Sequence, residues 1–309
     1  MTGWLRAVRR VAASAIGAAL AGAPSLEPVF IRTGRWLRGR SRLLGTLYWF
    51  AQDHLLDRLR GSGRQFRALS VAGTDVLLDI TDGTARLHYF YDEPYEPELA
   101  RAIRDALRPG DVFLDVGANI GFFSALAARL VGDTGRVVAF EPHPQAAARL
   151  AGLIAVNGLS ARVDLVQAAV GNATGIIRLF MTDDSVLSTT DPARSPLAGE
   201  YTFGRHVDVP QITLRSWLEA HPQMAARVRA IKIDVEGTEA DVLEGAAAFL
   251  RLCPHAVLLC ETVADSVADR LLRSAGFEVS ALDVRRGTFG NYRYARPEAS
   301  GSPATPPAP

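Results

Sequence analysis

The chain has 309 residues, 48% of them hydrophobic and 22% charged, so it can bury a large core without covalent cross-links. Its two cysteines, Cys253 and Cys260, exclude a disulfide framework, and their spacing is not that of a metal site. The net charge is only +1, but residues 1–64 contain eleven arginines and three acids, a balance of +8 that indicates contact with an anionic surface, either membrane or nucleic acid.

The first predicted element is a weakly hydrophobic helix near the N-terminus. Arg6, Arg9 and Arg10 precede an apolar run, residues 11–23, that is mostly alanine. The run is shorter than the roughly 18–20 residues that cross a bilayer. Basic residues, an apolar stretch and an Ala-Gly-Ala end are typical of a signal peptide. The spacing of the arginines equally fits an amphipathic helix lying on a membrane.

The next stretch mixes aromatic residues with arginines. Trp36 and the pair Trp49-Phe50 stand among several arginines, which is typical of an interfacial segment or of a helix packed on the body of the protein. We therefore interpret residues 1–64 as a basic, aromatic-rich helical extension. We expect a cytoplasmic protein, with residues 1–60 as the region for a peripheral contact with the inner membrane face, and no nucleic-acid partner.

A β-hairpin is predicted after the extension. Residues 76–80 and 85–90 are strand-like and flank the turn Thr81-Asp82-Gly83-Thr84. A helix over residues 96–107 then ends at Pro109-Gly110. We place the start of the main domain at residue 65 and its end at residue 296.

From residue 112 onward, strands and helices alternate. The predicted strands are 112–116, 136–140, 163–170, 175–181, 230–235, 256–260, 279–282 and 292–295, and the predicted helices are 122–131, 144–157, 238–252 and 264–275. Short apolar strands separated by helices predict a doubly wound, mostly parallel sheet with helices on both faces. Ligands of such sheets bind beyond the carboxyl ends of the strands.

Two polar segments interrupt or follow this alternation. Residues 182–207 are expected to form a loop that caps the site and selects the acceptor, and residues 297–309 a disordered Pro/Ala-rich tail. The residues of the loop that we expect to face the acceptor are Ser185, Ser188, Tyr201, Phe203 and His206.

A glycine-containing motif follows the first strand of the alternation. In Asp115-x-Gly117-x-Asn119-x-Gly121, the glycines allow a sharp turn and a close approach to a ligand. The helix beyond supplies positive potential for a carboxylate, and Asp115 can accept a hydrogen bond from an ammonium group. Asn119 stands where the dinucleotide fingerprint has its second glycine, which argues against a pyrophosphate.

The second strand ends in an acidic residue, Glu141. At this position a carboxylate can accept hydrogen bonds from both hydroxyls of a ribose. Together, the motif and Glu141 predict binding of S-adenosylmethionine, an amino acid joined to a nucleoside.

These residues also carry a family resemblance. The segment from Gly110 to Gly121, the triplet Phe140-Glu141-Pro142, and the segment from Ile231 to Glu239 followed by Val242-Leu243-Glu244-Gly245-Ala246 resemble the FkbM methyltransferases. The resemblance spans about residues 96–282. It implies a class I, Rossmann-like fold, S-adenosylmethionine as cofactor, and methylation of a hydroxyl oxygen on a sugar or natural product. It also implies that the end of the third strand, at Ala169, borders the adenine.

A second group of polar residues lies on a buried strand. Lys232 and Asp234 point to one face, so we expect them to form an ion pair, and Lys232 is the single lysine among 34 basic residues. Glu236 follows at the carboxyl end. Asp234, Glu236 and His143 are candidate bases for removing the acceptor's proton, and Lys232 is counted with the catalytic group.

Two further carboxylates belong to the same strand end. Glu239 lies in the first turn of the next helix and Glu261 ends the following strand, so both are candidate acceptor-binding residues, together with Tyr201 and His206. A role for Glu239 as a helix-start charge is the alternative. The acidic residues could instead bind a divalent cation; we predict no metal.

The sequence thus predicts an S-adenosylmethionine-dependent methyltransferase that acts on a hydroxyl of a small-molecule, lipid-linked or glycan-linked acceptor: a sugar, a glycolipid or a polyketide-type natural product. The alternatives are a nicotinamide-dependent oxidoreductase on a similar sheet and a membrane-associated binding protein without catalysis.

Overall fold

The computed structural model describes residues 2–38, 40, 42–182, 187–196, 198–253, 255–285 and 287–297. The chain divides into two compact units between Pro97 and Glu98, which places the hairpin with the N-terminal helices and not, as the boundary at residue 65 implied, with the main domain. Residues 298–309 of the predicted tail lie outside the described residues.

The N-terminal unit is mostly helical. Helix α1 packs along α3 so closely that a Cβ at Gly17 would lie 2.7 Å from the Cβ of His54. Leu20, Leu55 and Phe90 are buried in its core. Its elements are α1 (Thr2–Gly22), a 3-10 turn (Pro24–Leu26), α2 (Glu27–Arg38), α3 (Arg42–Leu59), β1 (Phe66–Val71), β2 (Thr74–Asp79) and α4 (Gly83–Tyr91).

A β-hairpin is present, but the predicted pairing of residues 76–80 with 85–90 is wrong. β2 pairs antiparallel with the upstream strand β1, and residues 85–90 form helix α4 and not a strand. The side chain of Asp82 caps this helix by accepting hydrogen bonds from the N–H groups of Thr84 and Ala85. Residues 81–84 therefore lead into helix α4 and do not form a hairpin turn.

Among the described residues, no single helix is long and apolar enough to cross a bilayer. The segments Val11–Gly22 and Pro24–Leu37 meet the requirement only as a pair, and they are bent by 113° relative to each other.

The larger unit is built on a seven-stranded sheet in the order β12-β13-β11-β10-β3-β4-β5. All neighbouring strands are parallel except β13, which is antiparallel to both β11 and β12. This arrangement confirms the predicted doubly wound class I fold. The strands are β3 (Val112–Val116), β4 (Arg136–Phe140), β5 (Val163–Val166), β10 (Val228–Ile233), β11 (Val257–Val263), β12 (Glu278–Arg285) and β13 (Phe289–Ala295).

Helices connect these strands. From β3 the chain proceeds to β4 and β5 on one side, and from β10 to β11 on the other, so right-handed crossovers put the connecting helices on opposite faces. Leu114, Phe140 and Ile231 lie in the core that results. The helices are α5 (Pro97–Ala106), α6 (Phe122–Val131), α7 (Pro144–Val156), α8 (Leu214–Ala220), α9 (Pro222–Ala225), α10 (Glu239–Leu252) and α11 (Val267–Ser274).

A second, four-stranded sheet has the order β6-β9-β7-β8. The predicted strand 163–170 is in fact two strands, since β5 ends at Val166 and the next two-residue strand belongs to this second sheet. The predicted loop 182–207 contains β8 and the start of β9, whose alternation of Val207 and Val209 with polar residues was missed. The strands are β6 (Ala169–Val170), β7 (Gly175–Met181), β8 (Ser188–Thr189) and β9 (Arg205–Ile212).

Candidate active site

The two polar motifs meet at the point where the sheet changes winding direction. β3 and β10 are neighbours, and their register places Asp115 beside Lys232. The N–H of Asp234 donates to the carbonyl of Val116 at 3.1 Å, so the pairing continues past the end of β10. This is the position at which doubly wound sheets bind ligands.

The loop after β3 is held against β10. Gly117 has φ +75° and Gly121 has φ +91°, both in the region that favours glycine, and Asn119 has φ +51°. A Cβ at Gly117 would lie 1.8 Å from the carbonyl oxygen of Asp234. The close approach that we predicted for a ligand is here made by the protein itself, and it fixes the loop on the neighbouring strand.

Lys232 holds the loop after β3 and the end of β10 together. Its ammonium group donates to the carbonyl of Gly117 at 3.0 Å and lies 3.4 Å from Asp115 Oδ1 and 3.3 Å from Asp234 Oδ2. The predicted pair with Asp234 is confirmed. Because the side chain is buried and surrounded by these oxygens, Lys232 positions the loop and the strand end; the structure does not place it as a proton-transfer group.

Asp115 differs from its predicted role. The carboxylate is completely buried, accepts from the hydroxyl of Ser124 at 2.6 Å, and faces the ammonium of Lys232. The ammonium group that it meets is therefore the protein's own, and not that of a ligand. Ser124 was missed because its link to Asp115 depends on how α6 follows the loop.

Glu141 lies at the end of β4, as predicted. Its carboxylate accepts from the N–H of Asn119 and from the N–H of His143, each at 2.7 Å. Burial raises the pKa of Glu141 to about 7, although the two N–H groups and the charge of Lys232 favour the ionised form. Each carboxylate oxygen keeps a second lone pair that can accept from a ligand hydroxyl.

His143 has a different role from the predicted base. It caps α7, with Nδ1 accepting from the N–H of Gln145 at 3.1 Å and from that of Ala146 at 3.5 Å. Burial lowers the pKa of His143, so the ring is neutral and its single proton lies on Nε2. A nitrogen that already carries a proton cannot act as a base. Nε2 is buried and has no hydrogen-bond partner among the described residues.

The loop after β10 is organised by Glu239. One oxygen of its carboxylate accepts from the N–H of Val235 at 3.3 Å and from that of Gly237 at 2.9 Å. Burial raises the pKa of Glu239 to about 7. Glu236 and Gly237 have φ +58° and +103°, and the carboxylate stabilises this unusual turn. The helix-start role is thus favoured over direct contact with the acceptor.

Three carboxylates converge at this end of the sheet. Oxygens of Asp234, Glu236 and Glu261 lie within 4.8 Å of one another, as the sequence predicted for a group at adjoining strand ends. The Asp234 side chain is 21% exposed and so remains accessible. Such a group can accept hydrogen bonds from hydroxyls or bind a hard cation.

Part of the segment 182–207 covers the loop after β10. The hydroxyl of Thr189 donates to the carbonyl of Glu236 at 2.9 Å, and Arg194 pairs with Asp241 at 2.7 Å. A Cβ at Gly237 would lie 2.3 Å from the carbonyl oxygen of Arg194. The sequence predicted a covering segment but not these residues, since isolated threonines and arginines carry no distinctive pattern.

Three further predicted acceptor residues belong to the segment 182–207. Tyr201 is exposed, and His206 lies on β9 with its ring 6.1 Å from that of Phe180. Ser185 lies outside the described residues.

Ala169 does not have the environment predicted for it. Its side chain is buried with Leu179 and Val209 in the core of the four-stranded sheet. The side chain therefore leaves little surface for an adenine, since β5 and β6 are two strands and not the single strand expected. A contact of this strand end with the adenine stays a prediction.

Comparison with known proteins identifies related chains. The family model described as "Methyltransferase FkbM domain" matches residues 115–279. The "31-O-demethyl-FK506 methyltransferase FkbM" of Streptomyces tacrolimicus is 35% identical in an alignment of 162 positions that covers 45% of this chain and 60% of that protein. "Methyltransferase 1" of Beauveria bassiana (strain ARSEF 2860) is 29% identical in an alignment of 188 positions that covers 56% of this chain and 74% of that protein.

Among solved structures, the methyltransferase FkbM from Methylobacillus flagellatus KT is similar, with a TM-score of 0.41 and 14% identity. The match covers 90% of this chain and 60% of that one. The family match lies entirely within the larger unit and contains both polar motifs. It decides against the oxidoreductase alternative.

Proposed function

Because the chain belongs to the FkbM family of S-adenosylmethionine-dependent methyltransferases, we propose that it methylates a hydroxyl oxygen of a sugar, a glycolipid or a polyketide-type natural product. The accessible carboxylate of Asp234, beside the loop of the first motif and next to Glu236 and Glu261, is the observation that supports O-methylation. The name of the Streptomyces relative, which describes 31-O-demethyl-FK506 as its substrate, supports the same chemistry.

The residues around the first motif fit the cofactor. Glu141 offers carboxylate lone pairs to the ribose hydroxyls, and the buried Nε2–H of His143, which lacks a partner among the described residues, offers a donor to the nucleoside. Gly117, Asn119 and Gly121 shape the loop at the start of α6, where the helix dipole favours a carboxylate. Asp115 supports this loop indirectly, through its ion pair with Lys232.

Asp234 is the proposed base. When bound, S-adenosylmethionine supplies a methyl group on a positively charged sulfur and leaves as a neutral thioether. The acceptor hydroxyl loses its proton to the Asp234 carboxylate as its oxygen takes the methyl group, and Asp234 later returns the proton to water. Glu236 and Glu261 hold further hydroxyls of the acceptor, which orients the reacting oxygen.

The test combines cofactor binding with transfer of a labelled methyl group. Calorimetry with S-adenosylmethionine measures binding to the full chain, and labelled S-adenosylmethionine added to a cell extract identifies the methylated product. Asp234→Asn should lower kcat by about 10²–10⁴-fold while the cofactor Kd changes little. Asp164→Asn, at an exposed aspartate on β5, is the matched control.

Two outcomes would overturn parts of this proposal. Absence of S-adenosylmethionine binding to the wild type would remove the cofactor assignment to these residues. An Asp234→Asn variant as active as Asp164→Asn would remove the base. We expect EDTA to leave the rate unchanged; a loss of activity that Mg²⁺ restores would assign the three carboxylates to a cation.

A further inference from the structure

The N-terminal unit contains an apolar groove between its first three helices. The groove has a volume of about 330 Å³ and is lined by Leu20 of α1, Phe30 and Leu37 of α2, and Leu47 of α3, among others. Apart from the hydroxyls of Thr33 and Tyr48, its lining side chains are hydrocarbon. A groove of this composition offers few hydrogen bonds and suits an apolar occupant.

The rim of the groove exposes large apolar side chains. Val29 is 65% exposed, Leu26 48% and Leu44 38%, and all three also line the groove. Trp36 on α2 is 56% exposed. Apolar side chains gathered around a groove in this way mark a surface that another partner covers.

Arginines stand beside the exposed aromatic rings. The guanidinium of Arg40 lies 4.2 Å from the ring centre of Trp36. That of Arg86 lies 3.6 Å from the ring centre of Trp49 but is ion-paired with Asp53, so exposed arginines such as Arg32 and Arg40 are the ones left to meet a phosphate. Residues 1–64 carry eleven arginines and three acids, so the surface around the groove lies in a segment of charge +8. Aromatic rings and arginines around an apolar surface are the composition of a membrane-interface anchor.

We infer that the N-terminal unit docks on an anionic phospholipid bilayer, with the groove between α1, α2 and α3 taking up acyl chain and the arginines meeting lipid phosphates. An anionic bilayer supplies both acyl chains for the groove and phosphates for the arginines, and the positive charge of residues 1–64 favours it over a neutral surface. Helix α1 lines the groove while it is packed against the rest of the unit, since its residues Ala13 and Leu20 are buried. The inference does not depend on the methyl-transfer reaction.

The test is co-sedimentation of the full chain with lipid vesicles. We expect binding to vesicles of equal parts phosphatidylcholine and phosphatidylglycerol, weak binding to pure phosphatidylcholine, and release by high salt. Val29→Asp should weaken binding by about tenfold or more, because it removes apolar contact and adds a repelled charge. Ile176→Asp is the matched control, since Ile176 is 71% exposed but lies on β7 of the larger unit.

Thermal unfolding and S-adenosylmethionine binding accompany each variant. If Val29→Asp unfolds, Trp36→Ala tests the same rim with a milder change. Absence of binding to the anionic vesicles, or equal losses in the groove variant and the Ile176→Asp control, would overturn the inference. A dimer in sedimentation equilibrium that Val29→Asp dissociates, without vesicle binding, would overturn it in favour of a second copy of the chain.

Discussion

Replacing Lys232 by methionine tests the junction on which both halves of the site depend. The change keeps an unbranched side chain of similar length but removes the ammonium that contacts Gly117, Asp115 and Asp234. Asp115 keeps its hydrogen bond from Ser124 but loses its ion pair inside the protein. Lys232→Met should therefore both destabilise the larger unit and loosen the loop that follows β3.

The magnitude follows from burial. Removing one partner of a buried ion pair costs about 3–5 kcal/mol, and the lower end applies because Asp234 is partly exposed while Asp115 is not. For a unit of this size, a loss of about 3 kcal/mol lowers Tm by roughly 6–12 °C. The same loosening should weaken S-adenosylmethionine binding by about tenfold or more, because binding must then order the loop.

Differential scanning calorimetry and titration calorimetry measure both effects. Arg229→Met is the matched control, since it removes an exposed cation from the same strand. The double variant Lys232→Met with Asp115→Asn should recover part of the lost stability, because no buried charge is left unpaired. A Lys232→Met protein with the Tm and cofactor affinity of Arg229→Met would refute the reasoning.

Three further predictions concern Glu141 and His143, at the proposed nucleoside end of the cofactor site. The pKa of Glu141 is raised to about 7, so S-adenosylmethionine should bind more tightly as the pH rises through 7 and the carboxylate ionises. Titration calorimetry between pH 6 and 8 measures this change in Kd. For Glu141→Gln, the Kd should depend less on pH. Without ligand, Glu141 favours its protonated form in the folded chain, so its contribution to stability falls as the pH rises from 4.5 towards 7. His143→Asn should keep the cap of α7 and change stability by less than about 1 kcal/mol, but weaken cofactor binding by about 2–10-fold, since asparagine can accept from the helix N–H groups without supplying the Nε2–H donor. An unchanged affinity for His143→Asn in calorimetry would remove the proposed donor role.

The parts of the molecule that the sequence predicts are those written in local patterns. β3, β4 and α6 have the predicted bounds because an unbroken apolar strand, a turn rich in glycine and an apolar helix follow one another directly. Helix α4 was missed because a single hydrogen-bonding side chain, Asp82, converts a strand-like stretch into a helix start.

Contacts between segments distant in sequence were less predictable. The pairing of Lys232 with Asp234 follows from alternation along one strand, but its contact with Asp115 depends on which strand lies beside β10. His143 was likewise predicted to be a base from its residue type and position. Its protonation depends instead on the cap that its Nδ1 makes on α7. The sequence therefore predicts which residues lie at the candidate site more reliably than it predicts the role of each of their polar atoms.

The single lysine of the chain links the proposed cofactor site to the proposed acceptor site. Its ammonium meets three oxygens within 3.4 Å in a buried position, where a compact cation fits and the wider, planar guanidinium of arginine does not. One ion thus fixes both the carbonyl of Gly117, in the cofactor loop, and the carboxylate of Asp234, the proposed base. A substitution at Lys232 must consequently change cofactor affinity and the rate of transfer together, whereas Asp234→Asn should separate them.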